Sequence, residues 1–371
     1  MKKFLLSACL MLVGFVAAAN AQSFTSETWR KADEKMSRGD RAGALAILDT
    51  AIEKRKDLFE AYQLRANLRS SSGDLDGAIA DYTAAIEVNP NGAKVYELRA
   101  RFRMFKRDYA GALKDFDSAI ANGLKSERVY SGRADIKRDM GDIEGAIADY
   151  QTAIAMNPNL ALPHVGLSFT HERKGDIDAA LVVLQEFLDR YESNRDGKLP
   201  SLKGGASKGA NVEIKREGKE KDGNQVYLSG EQFNSSNSPE KTEQLLNLAL
   251  AYANLGRMYA KKSDFDKAIE SYEKGLKIRK DDFYIHKLRS EIRIKKGDLQ
   301  GAIEDLTVVA NAVGGAPDRH ADKGILLILQ GKDEEAEKEF AIHLKRFPQG
   351  SNFLNKRIEE ARKLRSQQSP Q

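Results

Sequence analysis

The chain of 371 residues has 60 Lys and Arg against 55 Asp and Glu, a formal net charge of +5. This near balance, with 31% charged residues, argues against a polyanion-binding protein and indicates solvated helix faces. A single hydrophobic core does not suit this length, which predicts several domains or a repeat array.

The first 21 residues have the pattern of an export signal. Met1, Lys2 and Lys3 precede an apolar run, Phe4–Ala19, which ends in small residues around Ala21. We expect cleavage after Ala21 and an exported protein, periplasmic or secreted. The run is too short to favour a membrane-spanning helix, and no later stretch is apolar enough to be one.

Cys9, the only cysteine, lies within this signal. The residues Leu6-Ser7-Ala8-Cys9 are similar to a lipoprotein box, but the apolar stretch before them is only three residues long. Cleavage after Ala21 is therefore the favoured interpretation. The mature chain would then have no thiol, which excludes disulfides and zinc–thiolate sites.

An alanine recurs at intervals of 34 residues, with a bulky apolar residue four positions after it. In most repeats a glycine precedes the alanine by five residues, and in three repeats a proline follows the alanine by twelve residues. The alanines are Ala44, Ala78, Ala112, Ala146, Ala180, Ala268, Ala302 and Ala336. This pattern resembles the tetratricopeptide repeat, a unit of two helices, A and B, joined by a turn.

The resemblance implies an all-α fold, a right-handed superhelical solenoid of about eight repeats. Repeats 1–5 occupy residues 25–194 and repeats 6–8 occupy residues 249–350. Within a repeat, small residues at positions 8 and 20 would let helices A and B approach closely. Glycine at position 15 suits a left-handed turn, and aspartate at position 16 suits a cap of helix B. The repeats begin at Thr25, Phe59, Ala93, Glu127, Ala161, Ala249, Phe283 and Pro317.

Charged residues follow the same period. Arginine recurs at position 7, arginine or lysine at position 11, and aspartate at position 23. A basic stripe for nucleic acid is one interpretation. We favour ion pairs between positions 7 and 23, because the acid recurs in step with the base and a guanidinium suits such pairing. No nucleic-acid partner is therefore expected.

Residues 195–248 interrupt the repeats. Residues 195–210 predict a flexible loop, residues 211–217 and 225–229 alternate as in a small β-hairpin, and a helix is expected to start near Pro239. The segment is either a docking arm or a tolerated linker, and we favour the linker.

In the C-terminal segment, residues 351–371, the sequence predicts a helix that caps the last repeat, followed by a frayed end. The apolar side of this helix comprises Phe353, Leu354, Ile358, Ala361 and Leu364.

The sequence has no phosphate-binding loop, no HExxH motif and no cysteine–histidine cluster. His164 and His171 lie seven residues apart on one helix, but helix packing explains them better than a metal site. We therefore expect no catalytic residue, no cofactor and no metal, and a protein that is not an enzyme. An enzyme using residues 195–248 is a less favoured alternative.

The family resemblance also implies which residues line the concave groove of the solenoid. They come from helix A and combine acidic, basic and aromatic side chains, which suits a protein or peptide partner. The candidates are Trp29, Asp33, Gln63, Asn67, Glu97, Arg101, Phe105, Asp135, Arg138, Phe169, Arg257 and Glu291.

Related co-chaperones bind a terminal carboxylate through a Lys/Asn/Arg clamp. Trp29, Asp33 and Leu64 occupy positions where that clamp needs other residues, so this specificity is rejected. The favoured hypothesis is a non-catalytic scaffold for partner proteins, within assemblies of the cell envelope. The alternative is a solenoid that binds a small ligand such as a glycan or peptidoglycan fragment.

Overall fold

A computed structural model describes residues 27–55, 58–193, 239–311 and 319–368. The expected export signal, the loop and the β-hairpin lie outside these ranges. Every regular element inside them is a helix, which confirms the all-α fold class.

The described chain contains seventeen α-helices and one short 3-10 helix. The first helix, α1, covers residues 27–37. The others are α2 (Arg41–Lys54), α3 (Phe59–Ser71), α4 (Leu75–Val88), α5 (Ala93–Phe105), α6 (Tyr109–Ala121), α7 (Glu127–Met140), α8 (Ile143–Met156), α9 (Ala161–Lys174), α10 (Ile177–Ser193), α11 (Pro239–Lys261), α12 (Phe265–Ile278), α13 (Phe283–Lys296), α14 (Leu299–Asn311), α15 (Arg319–Leu329), α16 (Asp333–Arg346), the 3-10 helix Pro348–Gly350 and α17 (Ser351–Gln368).

The helices form two compact units that divide between Asn157 and Pro158. The N-terminal unit contains α1–α8, which are repeats 1–4. The C-terminal unit contains α9–α16, which are repeats 5–8, followed by α17. In both units the odd-numbered helix of a repeat is helix A, and from α3 onward it packs against the even-numbered helix B that follows it.

Small residues at positions 8 and 20 allow close packing of the two helices in a repeat. Ala66 and Ala78 are completely buried in one apolar cluster of repeat 2. In repeat 6, Gly256 takes position 8, and a Cβ atom there would lie 2.4 Å from the Tyr272 ring. These contacts confirm the reason given for small residues at these positions.

The turn between helices A and B depends on positions 15 and 16. Gly141 has a φ of 91°, and Asp142 caps α8 by accepting a hydrogen bond from the Gly145 N–H at 3.0 Å. Repeats 3 and 6 instead have Arg107 and Ser263 at position 15, with φ of 60° and 62°. The backbone keeps the left-handed turn there, although side chains disfavour it.

The arginines at position 7 pair with the aspartates at position 23. Arg99 donates to Asp115 through both Nη2 and Nε, at 2.7 and 2.9 Å. The same two-point contact recurs in three other repeats, and it confirms the ion-pair interpretation of the charged periodicity. The other pairs are Arg65–Asp81, Arg133–Asp149 and Arg289–Asp305.

These arginines also reach the repeat before their own. Arg65 Nη1 donates to Asp49 Oδ1 at 2.6 Å, and Arg133 Nη1 donates to Asp117 Oδ1 at 2.7 Å. One planar guanidinium therefore joins two consecutive repeats and sets their stacking in the N-terminal unit.

Repeats 5 and 6 stack directly on each other in the C-terminal unit, although residues 194–238 separate them in sequence. Both have a buried leucine at position 7, Leu167 and Leu255, in place of arginine. A large apolar cluster joins the helices of the two repeats, and Tyr252 Oη donates to Glu192 Oε1 at 2.5 Å. The junction is thus mainly apolar, and the array continues from α10 to α11.

The last helix, α17, does not continue the stack as a ninth helix A. Helix A of one repeat normally packs on helix B of the repeat before it, as α15 packs on α14, but α17 packs chiefly on α15 and also on α13. The predicted apolar side was wrong in one respect: Phe353 is 64% exposed, and Arg357 is buried instead. Arg357 is turned inward because its Nη2 donates to Asp322 Oδ1 at 2.7 Å.

Candidate binding face

The candidate groove residues lie along one side of each helix A. Positions 9, 12 and 13 lie four, seven and eight residues after position 5, so the side chains at these four positions share one face of the helix. We call this surface the helix-A face. In the N-terminal unit it includes Trp29, Asp33, Gln63, Asn67, Glu97, Arg101, Phe105, Asp135 and Arg138, and in the C-terminal unit Phe169, Arg257 and Glu291.

Two large aromatic side chains are exposed on the helix-A face of the N-terminal unit. The exposed fraction is 55% for Trp29 and 61% for Phe105. Trp29 borders a cleft whose other walls include Leu48, Leu58 and Leu64. Exposed aromatic groups beside apolar clefts are the type that anchors a partner's side chain.

Polar side chains accompany these aromatics at position 9. Asp33 and Arg101 are exposed, and so is Asn67, whose Oδ1 accepts a hydrogen bond from Tyr82 Oη at 2.5 Å. Burial raises the pKa of Tyr82 to about 12, so its hydroxyl remains a donor at neutral pH. The tyrosine fixes the Asn67 amide and leaves its Nδ2 hydrogens for another acceptor.

Asp135 and Arg138 are brought together, but as a closed cluster. Tyr150 Oη donates to Asp135 Oδ1 at 2.5 Å, and Arg138 Nη1 donates to Tyr150 Oη at 2.8 Å. Burial and the neighbouring Asp135 carboxylate raise the pKa of Tyr150. Arg138 is therefore engaged within its own repeat, unlike the exposed Arg101.

Glu97 and Gln63 are less accessible than their positions predict. Glu97 is 1% exposed, and its Oε2 pairs with Lys94. Its Oε1 accepts no hydrogen bond within the described residues. Gln63 is partly buried. Neither residue adds to the exposed part of the helix-A face.

In the C-terminal unit, Phe169 and Arg257 contact each other. The Arg257 guanidinium lies 5.1 Å from the centre of the Phe169 ring, and Arg257 Nη2 is 3.2 Å from Glu172 Oε1. Lys261 Nζ lies 2.7 Å from the same oxygen, and Arg257 also donates to Asn254 Oδ1 at 2.9 Å. These groups hold repeats 5 and 6 together, so they are engaged within the unit.

Glu291 lies beside α17, where Arg357 Nη2 is 3.8 Å from its Oε1. Arg357 and its main partner, the fully buried Asp322, were not among the residues predicted from the sequence. Arg357 falls at position 7 of the 34-residue count, the position at which arginines of other repeats pair with an aspartate.

The described residues do not gather three potential metal ligands in one place. His164 Nδ1 lies 2.7 Å from the Leu160 carbonyl oxygen, and burial lowers the pKa of this histidine. None of the described helices combines the length and hydropathy needed to cross a bilayer.

Three models of the tetratricopeptide repeat match the chain, over residues 64–126, 134–175 and 249–282. No curated protein matches it.

Several solved structures have a similar fold. A tetratricopeptide repeat protein from Parabacteroides merdae is 15% identical with a TM-score of 0.52, over 83% of this chain and 98% of that one. MamA is 18% identical, with a TM-score of 0.46 over 48% and 98% of the two chains. YrrB, described as a TPR protein with an unusual peptide-binding site, is 20% identical, with a TM-score of 0.40 over 64% and 95%. At these identities the likeness concerns the fold alone. The three repeat-model matches, the Parabacteroides merdae structure and the packing described above show that the described helices have a tetratricopeptide-repeat fold.

Proposed function

We propose that the protein is a non-catalytic scaffold that binds a partner polypeptide on the helix-A face of its N-terminal unit. The observation that carries this proposal is the exposure of Trp29 and Phe105 on that face, together with Asp33, Asn67 and Arg101. Apolar anchors interspersed with polar groups are typical of a protein-binding surface.

The distribution of these groups favours a polypeptide over a small ligand. Trp29 belongs to repeat 1, Asn67 to repeat 2 and Phe105 to repeat 3, so the partner must reach several repeats. The cleft beside Trp29 contains one acid, Glu60, but its other walls include Leu48 and Leu58, which suit an apolar side chain better than a sugar. An extended segment or a helix with anchors at intervals fits this spacing.

The proposal extends to location. Lys2 and Lys3, the apolar run Phe4–Ala19 and the small residues at its end support export, and they favour a partner in the cell envelope. Mass spectrometry of the protein purified from its native cell tests this, because we expect its first residue to be Gln22. A mature protein that retains Met1 or Phe4 would contradict export by this route.

A capture experiment tests the binding face. The tagged chain and its Arg101→Glu and Phe105→Ala variants are used to recover partners from the native envelope fraction. Lys114→Glu is the matched control, because Lys114 is an exposed lysine on helix B of the same repeat. We expect both helix-A variants to lose the partner by at least tenfold and the control to retain it. Equal recovery with all four proteins would refute the proposed face.

A further inference from the structure

The helix-A face of repeat 8 is covered, in contrast to that of repeats 1–3. Ala321, Ile325, Ile328 and Leu329 occupy positions 5, 9, 12 and 13, and none is more than 4% exposed. Position 9 of repeats 1–3 is exposed instead. The cover over repeat 8 is α17, whose Leu354, Ala361 and Leu364 belong to the same apolar cluster as these four residues.

The contacts fix the direction in which α17 lies. In the first half of α17, Arg357 donates to Asp322 in the first turn of α15. Near its end, Arg365 Nη1 donates to the Ile328 carbonyl oxygen at 2.8 Å, in the last turn of α15. α17 therefore runs parallel to α15 along its length.

The part of α17 that is buried is a narrow stripe. Leu354, Arg357, Ala361 and Leu364 follow one another at spacings of three, four and three residues, which is one seam of a helix. On the other side, Phe353 and most of the charged side chains are exposed. In the second half of α15 every residue from Gly324 to Leu329 is buried, whereas a single buried seam is typical of a helix docked in a groove.

The groove also has an electrostatic requirement. Asp322 is completely buried, and Arg357 donates to its Oδ1 at 2.7 Å. Its Oδ2 accepts no hydrogen bond within the described residues, although Lys287 Nζ lies 3.5 Å away. Lys287 already lies beside Oδ2, and the arginine of the docked helix supplies the hydrogen bond to Oδ1, so this face favours a helix that places an arginine above Asp322.

We infer that the helix-A face of repeats 7 and 8 is a docking site for an amphipathic helix of a partner protein, and that α17 is its tethered occupant. The partner helix carries an arginine three residues after one leucine and seven before another, as in Leu354, Arg357 and Leu364. When it binds, it displaces α17. This site is separate from the one proposed on repeats 1–4, and either can fail alone.

The probe is a fluorescent peptide of residues 351–368, and its binding to the full chain is followed by anisotropy. In the chain, Arg357→Ala with Leu364→Ala weakens α17 and leaves the groove intact. We expect this variant to bind the peptide at least tenfold more tightly than the unaltered chain, because a tethered helix competes at high effective concentration. Asp322→Asn added to the variant is expected to weaken peptide binding at least tenfold. The control is Lys363→Ala, which changes an exposed residue of α17 and is expected to leave α17 bound in the groove.

Three results would overturn the inference. The first is that the weakened chain fails to bind the peptide, or that its C-terminal unit no longer unfolds cooperatively, because α17 would then be part of the core. The second is that α17 amides of the unaltered chain exchange hydrogen as slowly as those of α15, whereas a displaceable helix exchanges faster. The third is that light scattering finds a dimer held by exchange of α17 between copies, which would make a second copy the occupant.

Discussion

At the scale of single residues, stacking in the N-terminal unit depends on a guanidinium that serves two repeats at once. Arg65 contacts Asp81 of its own repeat and Asp49 of the repeat before it. The aspartate at position 23 is almost completely buried, so it needs its cation in place. The periodic charges therefore act in the fold, and the charges left for a partner are the ones outside this period, such as Arg101.

Removal of one partner of a buried pair is expected to destabilise the N-terminal unit. Asp115→Ala leaves the buried Arg99 without its carboxylate, and we expect the free energy of unfolding to fall by about 3 kcal/mol. Asp76→Ala is the control, because its pair with Lys106 is exposed and contributes below about 1 kcal/mol. Urea denaturation followed by circular dichroism measures both, and equal losses would contradict the account.

The C-terminal unit is expected to lose stability in acid through Asp305. Burial alone would raise the pKa of this carboxyl, but hydrogen bonds from His286 and Arg289 and the charge of Arg293 outweigh burial and lower it. A carboxyl whose pKa is lower in the folded state stabilises the fold above its ordinary pKa, about 4, and that stability is lost as pH falls through the folded value.

Urea unfolding at a series of pH values below about 5 tests this expectation. We expect the stability of the Asp305→Asn variant to depend less on pH than that of the unaltered chain. An Asp298→Asn variant serves as control, since Asp298 is a more exposed aspartate that caps the start of the helix containing Asp305. An unchanged slope in the Asp305 variant would show that this carboxyl does not carry the acid sensitivity.

At the scale of helices and turns, most of the repeat could be predicted from sequence because its constraints are local. The spacing of Ala66 and Ala78 and the cap at Asp142 depend on residues within one repeat. The orientation of α17 could not be predicted in this way, because it depends on Asp322, a residue 35 positions away on another helix. For the same reason, the sequence placed Asp135 and Arg138 on the right helix but not in their closed contact with Tyr150.

A glycine at position 15 is expected to stabilise the turns of repeats 3 and 6. Arg107 has a φ of 60°, so Arg107→Gly removes a side chain that disfavours this backbone conformation. We expect the free energy of unfolding to rise by about 0.5–1 kcal/mol. Gly141→Ala, at the same position of repeat 4, is the reciprocal change and is expected to lower it by a similar amount. Thermal melts of the two variants measure this, and a shift of both unfolding midpoints in the same direction would contradict the expectation.

At the scale of the whole molecule, the segment between α10 and α11 joins two helices that pack in one array. Arg257 and Glu172 meet across this junction, as do Tyr252 and Glu192. The predicted division of the sequence at residues 195–248 differs from the division into compact units, which falls between Asn157 and Pro158. Stacking of repeats 5 and 6 therefore rests on their side chains.

Shortening that segment is expected to leave the C-terminal unit folded. Replacing residues 196–236 by a Gly–Ser linker of about half the length should raise the free energy of unfolding by only about 0.6 kcal/mol, through reduced loop-closure entropy. Denaturation of the C-terminal unit measures this. Loss of cooperative unfolding would mean that the segment itself supports the array, and loss of partner capture alone would support the docking-arm alternative.

Site-directed photo-crosslinking tests the central claim most directly, since it maps which face of the N-terminal unit a partner touches. A photoreactive amino acid is placed at Arg101 on helix A, and in a second chain at Lys114 on helix B of the same repeat. The account predicts that the Arg101 probe crosslinks one partner polypeptide in the native envelope and that the Lys114 probe does not. Crosslinks from Lys114 alone, or of equal yield from both positions, would contradict it.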